Sequence, residues 1–505
     1  MNPLGFWLRR LALATGALAG FALAAQTAPQ PFNFEGMCAR ARALAAKPYA
    51  RPSPLVPDWL LHFNYDQYHD IRFLPAQSWW GRDRLPFQLQ FFPPGSIFDR
   101  TVRIFEVGGG AGRPIPFSRS LFDFGRNRVG AVPDTLGFAG FRLLYPLNKP
   151  GDELGAFQGA SYFRMLCAKA VYGLSARGIA IDTALPGKEE FPDFEEFWVD
   201  RPAPGAKAIT LAALLDGPSV AGAYHFVITP GADTVVRVQA VLYFRKNPRL
   251  VGIAPLSSMY WHGKNTNFET DDIRPEVHDS DGLMVRTGKD EWLWRPLTNP
   301  SAATHASFSD ENPRGFGLAQ RERNFECYQD LQANYHLRPS AWIEPVGAWG
   351  RGAVHLIEFH SPDETSDNIV AFWTPERLPA PGTPLNFTYD VHWSLDAVRP
   401  RGGEVIGTRQ GRSKTQETDL ERFVVDFAGG GLERLGPAAT VEPVVTVGKH
   451  ASLANAIVEK NLFNGSWRVA IALRPDGSWF PVELRCYLRQ GPKALTETWS
   501  YLWQP

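Results

Sequence analysis

From Leu55 onward the chain reads as strands separated by turns, because apolar and polar positions alternate in short runs. Pro86-Phe-Gln-Leu-Gln-Phe-Phe alternates before Pro93-Pro94-Gly95, and Thr234 to Arg245 forms a long β-branched run with few turn residues. Later, Leu385, Phe387, Tyr389, Val391 and Trp393 alternate with polar partners. Arg422–Phe427, Trp467–Leu473, Glu483–Arg489 and Thr496–Leu502 continue the pattern, with Asp476-Gly477 as a tight turn. The clear exception is Phe34 to Ala46, an Ala- and Arg-rich helix stopped by Lys47-Pro48. No βαβ rhythm and no internal repeat is present.

These elements predict an all-β protein with a large N-terminal β-sandwich, residues 29–375, carrying long loops. Four prolines and a glycine between Pro375 and Pro384 predict a stiff linker over residues 376–384. Residues 385–505 then have the length and strand rhythm of an immunoglobulin-like sandwich. The very polar stretch Arg401 to Thr418 reads as a loop within it.

Residues 1–28 read as a cleaved signal peptide and not as part of the fold. Arg9 and Arg10 give a positive start, Leu11 to Leu23 an apolar stretch, and Ala22-Leu23-Ala24 the small residues a peptidase requires. The adjacent arginines raise twin-arginine export, but Ala12 and Leu13 fit the general secretory route better. The mature chain, roughly 480 residues, is long enough for two or three cores. Export to the periplasm follows, and no later segment is apolar and long enough to span a membrane.

Composition narrows the picture. The chain has 52 basic and 52 acidic residues, which gives no reason to expect nucleic acid or an anionic membrane as partner. With 16 Trp, 14 Tyr and 34 Phe, rings are plentiful enough to fill sandwich cores and to stack on sugars. Cys38, Cys167, Cys327 and Cys486 are scattered, so disulfides and buried free thiols both stay open. No metal-ligand spacing and no cofactor motif is present. Gly108 to Gly112 lacks a Walker lysine and Rossmann spacing and reads as a flexible loop.

The candidate chemistry centres on His278-Asp279-Ser280-Asp281-Gly282, which places two carboxylates and a histidine in four positions. Unpaired carboxylates are costly to bury, so the stretch reads as a polar loop or strand end facing water, a cleft or a ligand. An ordinary turn is the plainer alternative.

Several words of the sequence resemble the family of periplasmic glucans biosynthesis proteins G and D. They include Gly159-Ala-Ser-Tyr-Phe-Arg164, Tyr172-Gly-Leu-Ser-Ala-Arg-Gly-Ile-Ala-Ile-Asp-Thr183, His278-Asp-Ser-Asp281, Asn312-Pro-Arg-Gly-Phe-Gly-Leu318, Arg338-Pro-Ser-Ala-Trp342, Asp367-Asn-Ile-Val-Ala-Phe-Trp373 and Glu497-Thr-Trp-Ser-Tyr501. Thr183-Ala-Leu-Pro186 and Phe372-Trp-Thr-Pro375 lean toward the G branch. The resemblance implies a galactose-mutarotase-like first domain and an immunoglobulin-like second. It also implies a β-1,2-glucan as partner, made by a membrane glucan glucosyltransferase, and an anomer-inverting glycoside hydrolase or a related transglycosylase. A homodimer is compatible with it.

By the same resemblance Asp367 is the general acid and Asp279 the general base. Inverting enzymes hold such carboxyls about 6.5–9.5 Å apart, and a relay through water and a sugar hydroxyl tolerates a wider gap. Glu364 is either a neighbouring charge or sugar contact, or a solvated loop carboxylate. Tyr335 matches a tyrosine that lines the family's cleft, Asp281 has a supporting place, and His278 orients the loop. His355 to Pro362 and Trp261-His262 depart from the usual family words, which bears on sugar subsites and on hydrolysis against transfer. The rival reading is a non-catalytic glucan-binding scaffold that assists branching or release of the backbone.

Overall fold

The computed structural model describes residues 29–52, 56–267, 271–396, 398–412 and 420–505. The signal peptide expected at residues 1–28 lies outside them. The protein is all-β. One 16-stranded sheet and one 10-stranded sheet face each other, and a further four-stranded sheet lies toward the C-terminus.

Alternation builds the large sandwich. Gln88–Phe92, Gly140–Leu144, Glu153–Gln158, Tyr162–Met165, Ser175–Arg177 and Val251–Ser258 run through the 10-stranded sheet. Their inward side chains meet those of the larger sheet: Phe141 packs on Phe197 at 5.0 Å between ring centres, and Phe157 on Phe226 at 5.5 Å. The aromatic surplus therefore largely fills this core. Among described residues Phe34–Ala45 is the longest helix, capped by Asn33, whose side chain accepts a hydrogen bond from the Gly36 amide at 2.7 Å. It buries Met37, Ala41 and Ala45 on the outer face of the larger sheet, where Ala212 and Ala223 leave it room.

Three expectations change. The strand Pro384–Ser394, read from sequence as opening the second unit, pairs instead between Asp233–Phe244 and Ser340–Pro345. Its Phe387, Tyr389, Val391 and Trp393 point into the large core. Alternation announces a strand but not its partner. The proline-rich stretch before it hugs the large sandwich, with the Gly382 amide donating to the Phe244 carbonyl. Within Arg401 to Thr418, Glu404–Arg412 is a strand paired with Glu421–Ala428, while 413–419 lie outside the described residues. It is a sheet edge, where charged residues are at home. Finally, Gly109 and Gly110, both with positive φ, make a tight hairpin turn and not a flexible loop.

The smaller sandwich places Glu404–Arg412, Glu421–Ala428, Trp467–Pro475 and Ala451–Lys460 in one sheet. Glu442–Val447, Val482–Gln490 and Thr498–Trp503 face it and extend the large sheet, because Thr498–Trp503 pairs in parallel with Trp292–Pro296. Its core takes in Met284, Trp294, Ala319 and Trp342 from the large sheet. The two sandwiches thus share hydrogen bonds and apolar contacts. All four cysteines are free thiols.

Candidate active site

The segment Ser258-Met259-Tyr260 organises the site. On one side Ser258 pairs with Ile369, and the Asn368 side chain binds both the Tyr260 amide and carbonyl, at 2.8 and 2.9 Å. On the other side Tyr260 pairs with His278, and the Asp279 amide donates to the Met259 carbonyl at 2.8 Å. Asp367 and Asp279, far apart in sequence, therefore leave from the two chains that flank one strand.

The two carboxyls have opposite surroundings. The Asp367 side chain is 40% exposed, with Arg164 Nη2 4.0 Å from Oδ2. Asp279 is 4% exposed and paired with the Arg338 guanidinium. Burial pushes the Asp279 carboxyl above the usual carboxylate range. The Arg338 charge opposes that shift, the Asp367 charge adds to it, and Arg164 pulls it down. The two aspartates are thus within electrostatic reach of each other, with Arg164 serving both.

A second line of contacts encloses Asp279. Arg338 lies over the Tyr335 ring at 4.1 Å, and the Tyr335 hydroxyl donates to Glu364 Oε2 at 2.8 Å. The same oxygen accepts from Arg274 Nη1 at 2.5 Å, and Arg274 also binds Asp272 and Asp330. Glu364 is therefore an anchored carboxylate and not a free loop charge. Burial raises the Tyr335 phenol, so it stays a donor at neutral pH.

His278 and Asp281 are held from behind. His278 is fully buried: Nδ1 meets Gln320 Oε1 at 2.8 Å, Nε2 meets Glu276 Oε2 at 3.2 Å, and the ring stacks on Tyr260. Burial alone would lower its pKa, but the Glu276 and Asp281 carboxylates and the Gln320 hydrogen bond together raise it. Asp281 Oδ2 accepts from the Arg321 and Glu322 amides at 2.9 and 3.0 Å. Burial raises its carboxyl, against the pull of His278. Gly282 is obligatory, because a Cβ there would collide with the Trp294 ring. Of the alternatives open for this stretch, facing water gives way: His278 to Ser280 are buried, and the charged groups meet partners.

Arg164, Arg274, Gln320, Arg338 and Asn368 carry much of this geometry, and residue type alone does not mark them. Arg164, Arg338 and Asn368 do stand inside the family words, the available signal. From Asp367 a trail of rings leads along the sheet face. Its charge acts on Tyr162, Arg177 lies over Tyr162 at 5.0 Å, and Phe191 follows at 5.5 Å from the same guanidinium. Phe191 borders an open cavity of about 800 Å³ shared with Ile97, Arg100 and Asp193.

Among the described residues, metal-type donors gather at Glu276, Glu322 and Cys327. Lys264 Nζ already sits between the two acids, 3.7 Å from Glu276 and 2.5 Å from Glu322. A cation is thus built into the cluster.

No helix among the described residues is long and apolar enough to cross a membrane. The model of the family described as periplasmic glucan biosynthesis protein, MdoG, matches residues 32–503. Glucans biosynthesis protein G of Ralstonia nicotianae is 48% identical over 504 residues, covering 98% of this chain and 99% of that protein. Glucans biosynthesis protein G of Pseudomonas aeruginosa is 44% identical over 509 residues, covering 97% of each. The chain belongs to the MdoG family of periplasmic glucan biosynthesis proteins.

Proposed function

We propose that this member of the family is an endo-acting, anomer-inverting β-1,2-glucanase, or a transglycosylase of the same geometry, that remodels the glucan backbone. Asp367 is the general acid and Asp279 the general base. The observation that carries this reading is the attachment of both aspartates to the flanks of Ser258–Tyr260. Two carboxyls on opposite sides of one segment suit single displacement with inversion, in which one protonates the leaving oxygen and the other activates the attacking one.

Asp367, exposed beside Arg164, donates its proton to the leaving glycosidic oxygen as the bond to the anomeric carbon breaks. An incoming hydroxyl attacks from the opposite face and loses its proton toward ionised Asp279. Asp279 is too buried to meet that hydroxyl directly, so a water or sugar hydroxyl carries the proton between them. The Arg338 ion pair favours the ionised base against the pull of burial. Glu364, fixed by Tyr335 and Arg274, offers acceptors to sugar hydroxyls, and His278 and Asp281 brace the base's loop.

The trail from Tyr162 to Phe191 supports endo action, since it offers rings for sugars to stack on beyond the acid. The mature protein incubated with linear β-1,2-glucan tests the reading. Chain shortening or transfer supports it. Binding without any change in the chain supports the scaffold role instead. The membrane glucan glucosyltransferase that makes the backbone is the natural upstream partner, and a homodimer is a second partner to test by sedimentation.

A further inference from the structure

The smaller sandwich contributes no hydrogen bond or ion pair to Asp279, Asp367, Glu364 or Tyr335 among the described residues, yet it grips the segment that holds the base's loop. Glu497, its side chain 0% exposed, binds Arg321 through both oxygens, at 2.6 and 3.0 Å. The same carboxylate accepts the Val405 amide at 2.7 Å, tying together two strands of the smaller sandwich. The Arg321 guanidinium also lies over the Trp294 ring, 3.7 Å from its centre.

Arg321 stands in a three-residue clamp. Gln320 holds His278 by side chain and carbonyl, while the amides of Arg321 and Glu322 hold Asp281. Asp279 lies between the two gripped residues. Its placement thus depends on where residues 320–322 stand, and that depends on a buried, bidentate ion pair with the other sandwich. Removing one partner of such a buried pair leaves the other charge uncompensated, so the pair holds the two segments in one relative position.

We propose that Glu497 is a positioning residue for the base, acting through Arg321, so that the smaller sandwich is part of the catalytic apparatus without touching substrate. This rests on the role of Asp279 proposed above. Its contribution belongs to the rate and not to substrate binding, because the glucan-facing residues stand on other segments. Misplacement of a reacting group by about 1 Å costs up to a hundredfold.

The test compares Glu497→Gln with Val469→Ala, which loosens the same sandwich's core away from Arg321. Both are expected to lower Tm. In Glu497→Gln, kcat on linear β-1,2-glucan falls about tenfold to a hundredfold with KM unchanged, and the His278 imidazole resonances shift. In Val469→Ala, kcat and those resonances stay as in the wild type. Unchanged His278 resonances and kcat in Glu497→Gln would overturn the inference, as would equal losses of kcat in both variants. A wild type that leaves glucan intact would remove the glucanase reading alone, because the His278 signals still report whether Glu497 governs the loop.

Discussion

At the residue scale the two aspartates differ in what they need from their neighbours. Asp367→Asn removes the leaving-group proton and should lower kcat by about a hundredfold to ten-thousandfold, with glucan affinity by calorimetry nearly unchanged. Asp279 must be ionised, and its folded pKa lies above the ordinary aspartate value. The acid limb of kcat/KM should therefore fall at a pH above about 3.9. Arg338→Met, which removes the counter-charge, should move that limb to still higher pH; a limb that stays put would argue against Asp279 as its source. His278 links pH to stability. Its raised pKa supplies stability that is complete below its unfolded value and lost as pH rises through the folded one. Tm should decline over that window, and His278→Gln should flatten the decline. As candidates, Asp279 and Asp367 were readable from family words, Tyr335 from its match to the family, and Glu364 as one of two alternatives. The burial of Asp279 was not, because the partner that permits it, Arg338, stands far along the chain.

At the element scale the strand through Ser258–Tyr260 does most to bring the site together, and Asn368 is its fastener. The buried Asn368 amide spans the Tyr260 amide and the Tyr260 and Phe359 carbonyls. Asn368→Ala leaves buried backbone groups unpaired and should cost about 1–3 kcal/mol in urea unfolding. It should also lower kcat, since Asp367 is its neighbour. Full stability in that variant would remove Asn368 from this role. Elements with a strong period were readable: Phe34–Ala45 as a helix, Asp233–Phe244 and Trp467–Pro475 as strands. Partners were not. Pro384–Ser394 alternates as well in the large sheet as it would in a smaller one, and Glu404–Arg412 hid as a strand because edge strands carry charge.

At the scale of the whole molecule, two sandwiches share one sheet. Thr498–Trp503 continues from Trp292–Pro296, and Met284, Trp294 and Trp342 sit in the smaller core. Units joined in this way should unfold together. Calorimetry is expected to give one transition, and two well-separated transitions would contradict the coupling on which the Glu497 contact depends. Composition and period announced two sandwiches, but the continuity of the sheet arises from a parallel pairing between distant segments that no local pattern encodes.

The central claim is that Asp367 and Asp279 act across one glycosidic bond with inversion. Following the anomeric protons by NMR while the protein acts on linear β-1,2-glucan tests it most directly. New α signals are expected first, as a reducing end or as a new α linkage, and are lost in both Asp279→Asn and Asp367→Asn. A β-configured first product, or glucan that is bound but never cleaved, would contradict it.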